Sequence, residues 1–181
     1  MIVDLIIVVL MVGGLVLGLF RGAIRQLFAI GGWLVVFLLA AYLTRPAGNW
    51  LAGELEQFSL AYAYMITFGL LFFVGYGAVL IFAQVSGRSM TISRREWLEN
   101  LLGATFGVII GLLLATAGLV MLDSYYTLPD PTPTEQVALL TELYTASLDS
   151  TIATVLRDTL VPLLGALIGP FLPPELGAVF S

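Results

Sequence analysis

The sequence predicts an all-α membrane protein: four transmembrane helices followed by a C-terminal amphipathic helical tail. Three observations carry that expectation. Of the 181 residues, 60% are hydrophobic and only 10% charged, whereas an ordinary soluble domain is about a quarter charged. The mean hydropathy is +1.04. The apolar residues also gather into long runs, and about 20 such residues suffice to cross a bilayer as a helix.

The first run covers residues 2–20 and is interrupted only by Asp4. No basic side chain precedes it, while Arg21 and Arg25 follow it. That order reads as an uncleaved helix inserted with its N-terminus outside, not as a signal peptide, which starts with a positive segment. Asp4 stands where a carboxylate meets the positive end of the helix dipole. Further spans are expected at about 27–43, 60–83 and 101–122, and none of the three contains a charged residue. Thr67, Thr105 and Thr116 are their notable polar groups.

Arginine placement sets the orientation, because inner loops carry the excess of basic residues. Arg21, Arg25, Arg88, Arg94 and Arg95 would face inward, against Arg45 and Arg157 outside. Both termini are therefore expected on the extracytoplasmic side. Tyr42, Trp50, Tyr125 and Tyr126 would mark the outer interface and Trp97 the inner one, as aromatic belts do.

The four spans form a first domain, residues 1–123. Residues 124–135 follow as a linker in which Pro129, Pro131 and Pro133 alternate with other residues and stiffen the chain. Residues 136–181 form an extracytoplasmic tail. In it Val137, Leu140, Leu143, Tyr144 and Leu148 recur at helical spacing, and so do Ile152, Val155, Leu156, Leu160, Leu163 and Leu167. Asp149, Thr151, Thr154, Arg157 and Asp158 supply a polar face. The uncharged part, residues 159–172, contains Pro162 and Pro170 and falls short of a span. The tail is thus expected on the outer leaflet, on the bundle or on a second copy.

Two rows of glycine stand out. Gly103, Gly107 and Gly111 are four apart, with Ala115 continuing the row, and Gly14, Gly18 and Gly22 are four apart as well. Residues at that spacing share a helix face. In lipid, where apolar surface drives little association, small residues let backbones approach closely. The rows could pack within one bundle, pack across a homo-oligomer interface or line a pore. Ion and proton paths usually carry ionisable groups inside the membrane, so the bare interiors of spans two to four weigh toward packing.

The side-chain inventory excludes much chemistry. The chain has no His and no Cys, and all seven basic residues are arginine. Ser-His-Asp and Cys-His catalysis cannot be built from it, nor can a P-loop lysine, a Schiff base or the usual zinc and haem sites. No enzyme, catalytic residue, metal site or cofactor is expected. A net charge of −5 and an isoelectric point near 4.5 argue against a nucleic-acid partner and against bulk attraction to anionic lipid. Arg21 and Arg25 lie on one face of the first inner turn. They serve topology and reach headgroups, or they form a paired-guanidinium contact for an acidic partner or for Glu96 and Glu99.

Taken together, Asp4, the stretch GLFRGAIRQLFAIGGW at 18–33 and the stretch WLENLLGATFGVIIG at 97–111 with Asp123 beyond it resemble the CvpA family, the colicin V production proteins of bacterial inner membranes. Gly18, Arg21, Gly22, Arg25 and Trp33 match the family pattern, and Glu99 and Asp123 stand at motif positions. Two positions depart from it: Glu99-Asn100 where the family often has Asp-Arg, and Ile110 where it often has Arg. The resemblance implies a four-span protein of the inner membrane, linked to colicin V production and export and to envelope homeostasis. It supplies no catalytic residues. The implied function is a non-enzymatic scaffold or assembly factor. The alternative is a homo-oligomeric channel or transporter subunit with the glycine rows at the subunit seam. Expected partners are the lipid bilayer, a second copy, and an envelope or export protein.

Overall fold

The computed structural model describes residues 2–54, 60–86, 96–127 and 138–171. Among them every regular element is helical: α1 Ile2–Arg21, α2 Ala23–Glu54, α3 Leu60–Ser86, α4 Glu96–Thr127, α5 Ala138–Leu148 and α6 Thr151–Ile168, the last continued by one 3-10 turn at Gly169–Phe171. The protein is an all-α membrane protein. Its helices are apolar nearly all round, as helices facing lipid on one side and protein on the other must be. Phe20, Val74, Ile81 and Phe82 lie exposed on the bundle surface, where hydrocarbon would surround them.

Helix ends follow local chemistry. Gly22 has φ +75, a conformation a side chain resists, and its N–H donates to the Gly18 carbonyl at 3.1 Å. This glycine stop ends α1, and α2 begins at the next residue. Pro46 lies inside α2 and removes one backbone donor there. Near it the Thr44 hydroxyl donates to the Ala40 carbonyl at 2.6 Å.

Two antiparallel pairs build the bundle. In the first, Gly14 meets Gly107, Gly18 meets Gly103 and Gly111 meets Leu10, so α1 and α4 run in opposite directions. In the second, Gly32 meets Val79, Gly75 meets Val36 and Gly48 meets Tyr64, which pairs α2 with α3. Helix α4 is the hub, packing against α1, α2, α3, α5 and α6. The main core lies between α2, α3 and α4, around Trp33, which has no exposed surface, with Phe37, Phe72, Tyr76, Ile110 and Leu113. Its rings interlock. Trp33 stacks on Phe37 at 5.0 Å between centroids, and Phe72 stacks on both Phe68 and Tyr76 at 6.0 Å.

Three sequence expectations change. The spans are longer than expected, since α2 and α4 each have 32 residues. Helix α4 carries on through Thr127, so residues 124–127 are helix rather than linker and Asp123 is inside the helix. Pro129, Pro131 and Pro133, the arginines 88, 94 and 95, and the residues after 171 lie outside the described residues. Most important, five described helices are long and apolar enough to cross a membrane, not four. The fifth is Thr151–Phe171. The sequence reading counted only the uncharged run after Asp158. Helix α6 starts eight residues earlier, at the Ser150 cap, takes in Arg157, which is ion-paired with Asp123, and continues through Pro162.

Candidate functional site

The α1–α4 seam is a backbone-to-backbone contact. A Cβ built on Gly14 would fall on the carbonyl of Gly107, and one built on Gly107 would fall on the carbonyl of Gly14. Gly18 and Gly103 stand in the same reciprocal relation, and a Cβ on Gly111 would meet the Leu10 carbonyl at 2.5 Å. Each glycine thus turns a Cα–H toward a carbonyl oxygen across the seam, the geometry of a weak Cα–H···O bond. Gly22 closes the row against the side chain of Glu99, 3.0 Å from where its Cβ would be. Ala115, which continues the α4 row, is buried with Val3, Ile7 and Leu119 against α6. The two rows therefore face each other within one chain.

At the other end of this pair, the N-terminus of α1 and the C-terminus of α4 hold the start of α6 through a polar latch. The Ser150 hydroxyl donates to Asp4 Oδ1 at 2.7 Å, and the Ile152 N–H donates to the same oxygen at 3.2 Å. Ser150 Oγ in turn accepts from the Ala153 N–H at 3.0 Å, capping α6. The Asp4 carboxylate so lies at the positive end of α6. Asp4 lies in the first turn of its own helix, as the sequence predicts, and its Oδ1 also meets the donors at the start of α6.

The second half of the latch centres on Arg157. Its Nε and Nη2 donate to Asp123 Oδ2 and Oδ1 at 2.9 and 2.8 Å, a bidentate pair. Nη1 donates to the Ser147 carbonyl at 3.0 Å and Nη2 to Ser147 Oγ at 2.8 Å. Four of the five guanidinium donors are thereby satisfied, and Ser147 itself has no exposed surface. Beside this pair Tyr126 stacks on Tyr144 at 4.0 Å, tying α5 to the end of α4.

The tail helix buries part of the face its spacing suggested, Leu156 and Leu164. Its buried residues are Ala153, Leu156, Leu164 and Ile168. Ile152 and Leu160 are half-buried, while Val155, Leu163 and Leu167 point outward. The apolar pattern in this helix is wide enough that spacing alone left its inward direction open, and the Asp4 and Asp123 contacts set its rotation.

At the opposite end, Arg21, Arg25 and Gln26 line a narrow cleft together with Ala29, Leu80 and Gln84. Trp33 lies in the core and Trp97 is exposed near the start of α4. Of the polar groups noted in the spans, Thr105 and Thr116 donate back to the carbonyls of Leu101 and Leu112 at 3.1 and 2.9 Å. The hydroxyl of Thr67 is buried without a partner, as are Trp33 Nε1 and the Tyr76 hydroxyl. Sequence reasoning missed Ser147, Ser150 and Gln26, and it did not connect Arg157 with Asp123. A signal for Ser150 was present, since a serine directly before an apolar periodic run marks a helix start.

The fold and this latch define a polytopic helical membrane protein, with a glycine-packed α1–α4 pair that carries the last helix back onto itself. The family model for the colicin V production protein matches residues 3–148, and the chain belongs to that family. It is 28% identical over 131 residues to the colicin V production protein homolog of Haemophilus influenzae, a match covering 68% of this chain and 74% of that relative. No solved structure matches the chain.

Proposed function

We propose that the protein is a non-enzymatic scaffold or assembly factor of the bacterial inner membrane that supports production and export of a colicin V-type toxin and maintenance of the envelope. The family membership and the name of the Haemophilus relative, a colicin V production protein homolog, support the toxin-related part. One observation carries the scaffold part: two of the three acidic residues of the family resemblance, Asp4 and Asp123, commit their carboxylates to the last helix. Residues placed for chemistry would instead present those groups to a cavity. In this reading the first helix enters with its N-terminus outside, the Arg21–Arg25 turn faces the cytoplasm, and an envelope or export protein docks on the assembled bundle. The rival reading, a homo-oligomeric channel with glycine at the subunit seam, draws less support because both rows are occupied within the chain.

The test is complementation. A toxin-producing strain lacking its own member of the family receives the wild-type chain or the Asp123→Asn variant, and released toxin is measured. Restoration by wild type and reduced release with the variant at equal membrane abundance support the reading. Full restoration by a variant whose last helix has come loose would refute it. Ion flux from liposomes carrying the pure protein would favour the channel.

A further inference from the structure

Helix α6 is held by groups that a second copy of this chain also carries. We infer that α6, together with α5, exchanges between two copies, so that the α1–α4 groove of one chain receives the last helix of the other. The groove reads a helix with a hydroxyl at its cap and an arginine seven residues further on, which is how Ser150 and Arg157 are spaced.

Groove and occupant belong to different parts of the chain. Asp4 and Asp123, which grip α6, lie within the residues 3–148 that the family model matches. Helix α6 begins at Thr151. The receiving surface is thus part of the family domain, and the helix seated on it lies past the end of the match. Charge complementarity selects that helix more than area does. Four residues of α6 are buried, Ala153, Leu156, Leu164 and Ile168. In lipid such apolar contact gives little drive toward a particular partner, and polar contacts add to it. Here Asp4 accepts from the cap and first turn of α6, and Asp123 pairs with Arg157.

The exchanged unit holds its own shape. Arg157 donates to the carbonyl and hydroxyl of Ser147 in α5, and Ser150 caps α6. The guanidinium therefore stays oriented toward an aspartate, whichever chain supplies it. Residues 128–137 join α4 to this unit. Fully extended, ten residues reach at most about 36 Å, while a helix with its side chains is about 10–12 Å across. That reach covers the groove of an adjoining copy as well as the chain's own. Exchange in both directions gives a closed pair in which each groove is filled.

Charge exchange tests this with full chains. Two differently tagged copies are expressed together, one carrying Asp123→Arg and the other Arg157→Asp. Neither closes the ion pair within itself. Between the copies both pairs close: Arg157 of the first meets Asp123 of the second, and the two introduced charges meet each other. Co-purification in mild detergent should exceed that of either variant with its own tagged twin by about tenfold or more, the factor for a hydrogen bond to a charged group. Both substitutions on one chain restore an internal pair and should return association to the wild-type level. A second readout keeps the ion pair intact. One copy carries Asp4→Cys and the other Ser150→Cys, in a chain with no other cysteine, and a short bifunctional thiol reagent is applied to membranes. Linked copies should accumulate. Arg45→Cys, an exposed position, replaces Ser150→Cys as the collision control and should give little linkage. The inference is overturned if the charge-exchanged pair, with both variants helical and inserted, associates no better than either variant alone. It is also overturned if the cysteine pair links copies no better than the control while the same two cysteines on one chain react with each other.

Discussion

At the scale of single residues, the glycines of one helix are not equivalent, and the difference is measurable. Gly13 and Gly14 are neighbours in α1. A Cβ on Gly13 meets nothing within 4 Å, whereas one on Gly14 lands on the Gly107 carbonyl. Alanine is the better helix former by about 1 kcal/mol, so Gly13→Ala is expected to leave the protein unchanged or slightly more stable. Gly107→Ala gains the same propensity but must push two backbones apart, and overpacking of this kind costs about 1–3 kcal/mol. Equilibrium unfolding in mixed micelles should therefore separate the two variants by about 1–3 kcal/mol, with Gly107→Ala the weaker. Equal stabilities would mean that the seam can widen freely. Arg157 has a different kind of weight. Its side chain is 19% exposed and that of Asp123 is 23% exposed, so water screens the pair only in part. Arg157→Gln is expected to cost about 1.5–3 kcal/mol, the range for hydrogen bonds to charged groups. The same loss should appear with Asp123→Asn, and the double variant should cost little more than either alone. A strictly additive double-mutant cycle would show that the two residues act independently.

At the scale of elements, α6 depends on groups distant in sequence. Ser150 is 146 residues from Asp4, and no periodicity or spacing rule spans that separation. Local patterns made the first four helices readable, because length and apolarity are enough to announce a span. The glycine rows were readable too, as faces built for close approach. Their partner was not, since a row of small residues signals contact without saying whose surface it meets. That information sits in the register, where Gly14 opposes Gly107 and Gly18 opposes Gly103. The fifth apolar helix is not legible from its uncharged run alone, because the helix extends back past Asp158 and Arg157, and Arg157 is paired with Asp123. The latch makes a prediction about this element. Ser150→Ala removes the cap of α6, worth about 1 kcal/mol, together with the hydroxyl that Asp4 accepts from. Amide hydrogen exchange should then accelerate in the first turns of α6 and at the α1 N-terminus, while the middle of α4 stays protected. Asp4→Asn should give the same pattern in weaker form, because an amide oxygen still accepts a bond. Unchanged exchange at residues 151–156 in both variants would mean that apolar packing alone holds the helix start.

For the whole molecule, the consequence of the latch is topological. Helix α6 starts beside Asp4 and reaches Asp123 through Arg157, while Ala153 and Leu156 share a cluster with Leu119 and Ala115. Leu164 and Ile168 reach the core that holds Trp33 and Ile110, so the helix descends into the bundle instead of lying across its end. Its 18 residues extend about 27 Å at 1.5 Å per residue, close to the hydrocarbon thickness of about 30 Å. That length and path suit a fifth crossing, whereas the arginine count suggests a tail held on one side. With five crossings, Asp149 before α6 and Phe171 after it face opposite compartments, and Phe171 shares its side with Gln84 at the end of α3. The chain contains no cysteine, which makes the test direct. Asp149→Cys, Gln84→Cys and Phe171→Cys are each introduced alone at exposed positions. Intact cells are then treated with a membrane-impermeant maleimide before and after permeabilisation. Gln84→Cys and Phe171→Cys should label together under one condition and Asp149→Cys under the other. Labelling of Phe171→Cys together with Asp149→Cys would falsify the fifth crossing, and α6 would then have to leave the bundle core that Leu164 and Ile168 occupy.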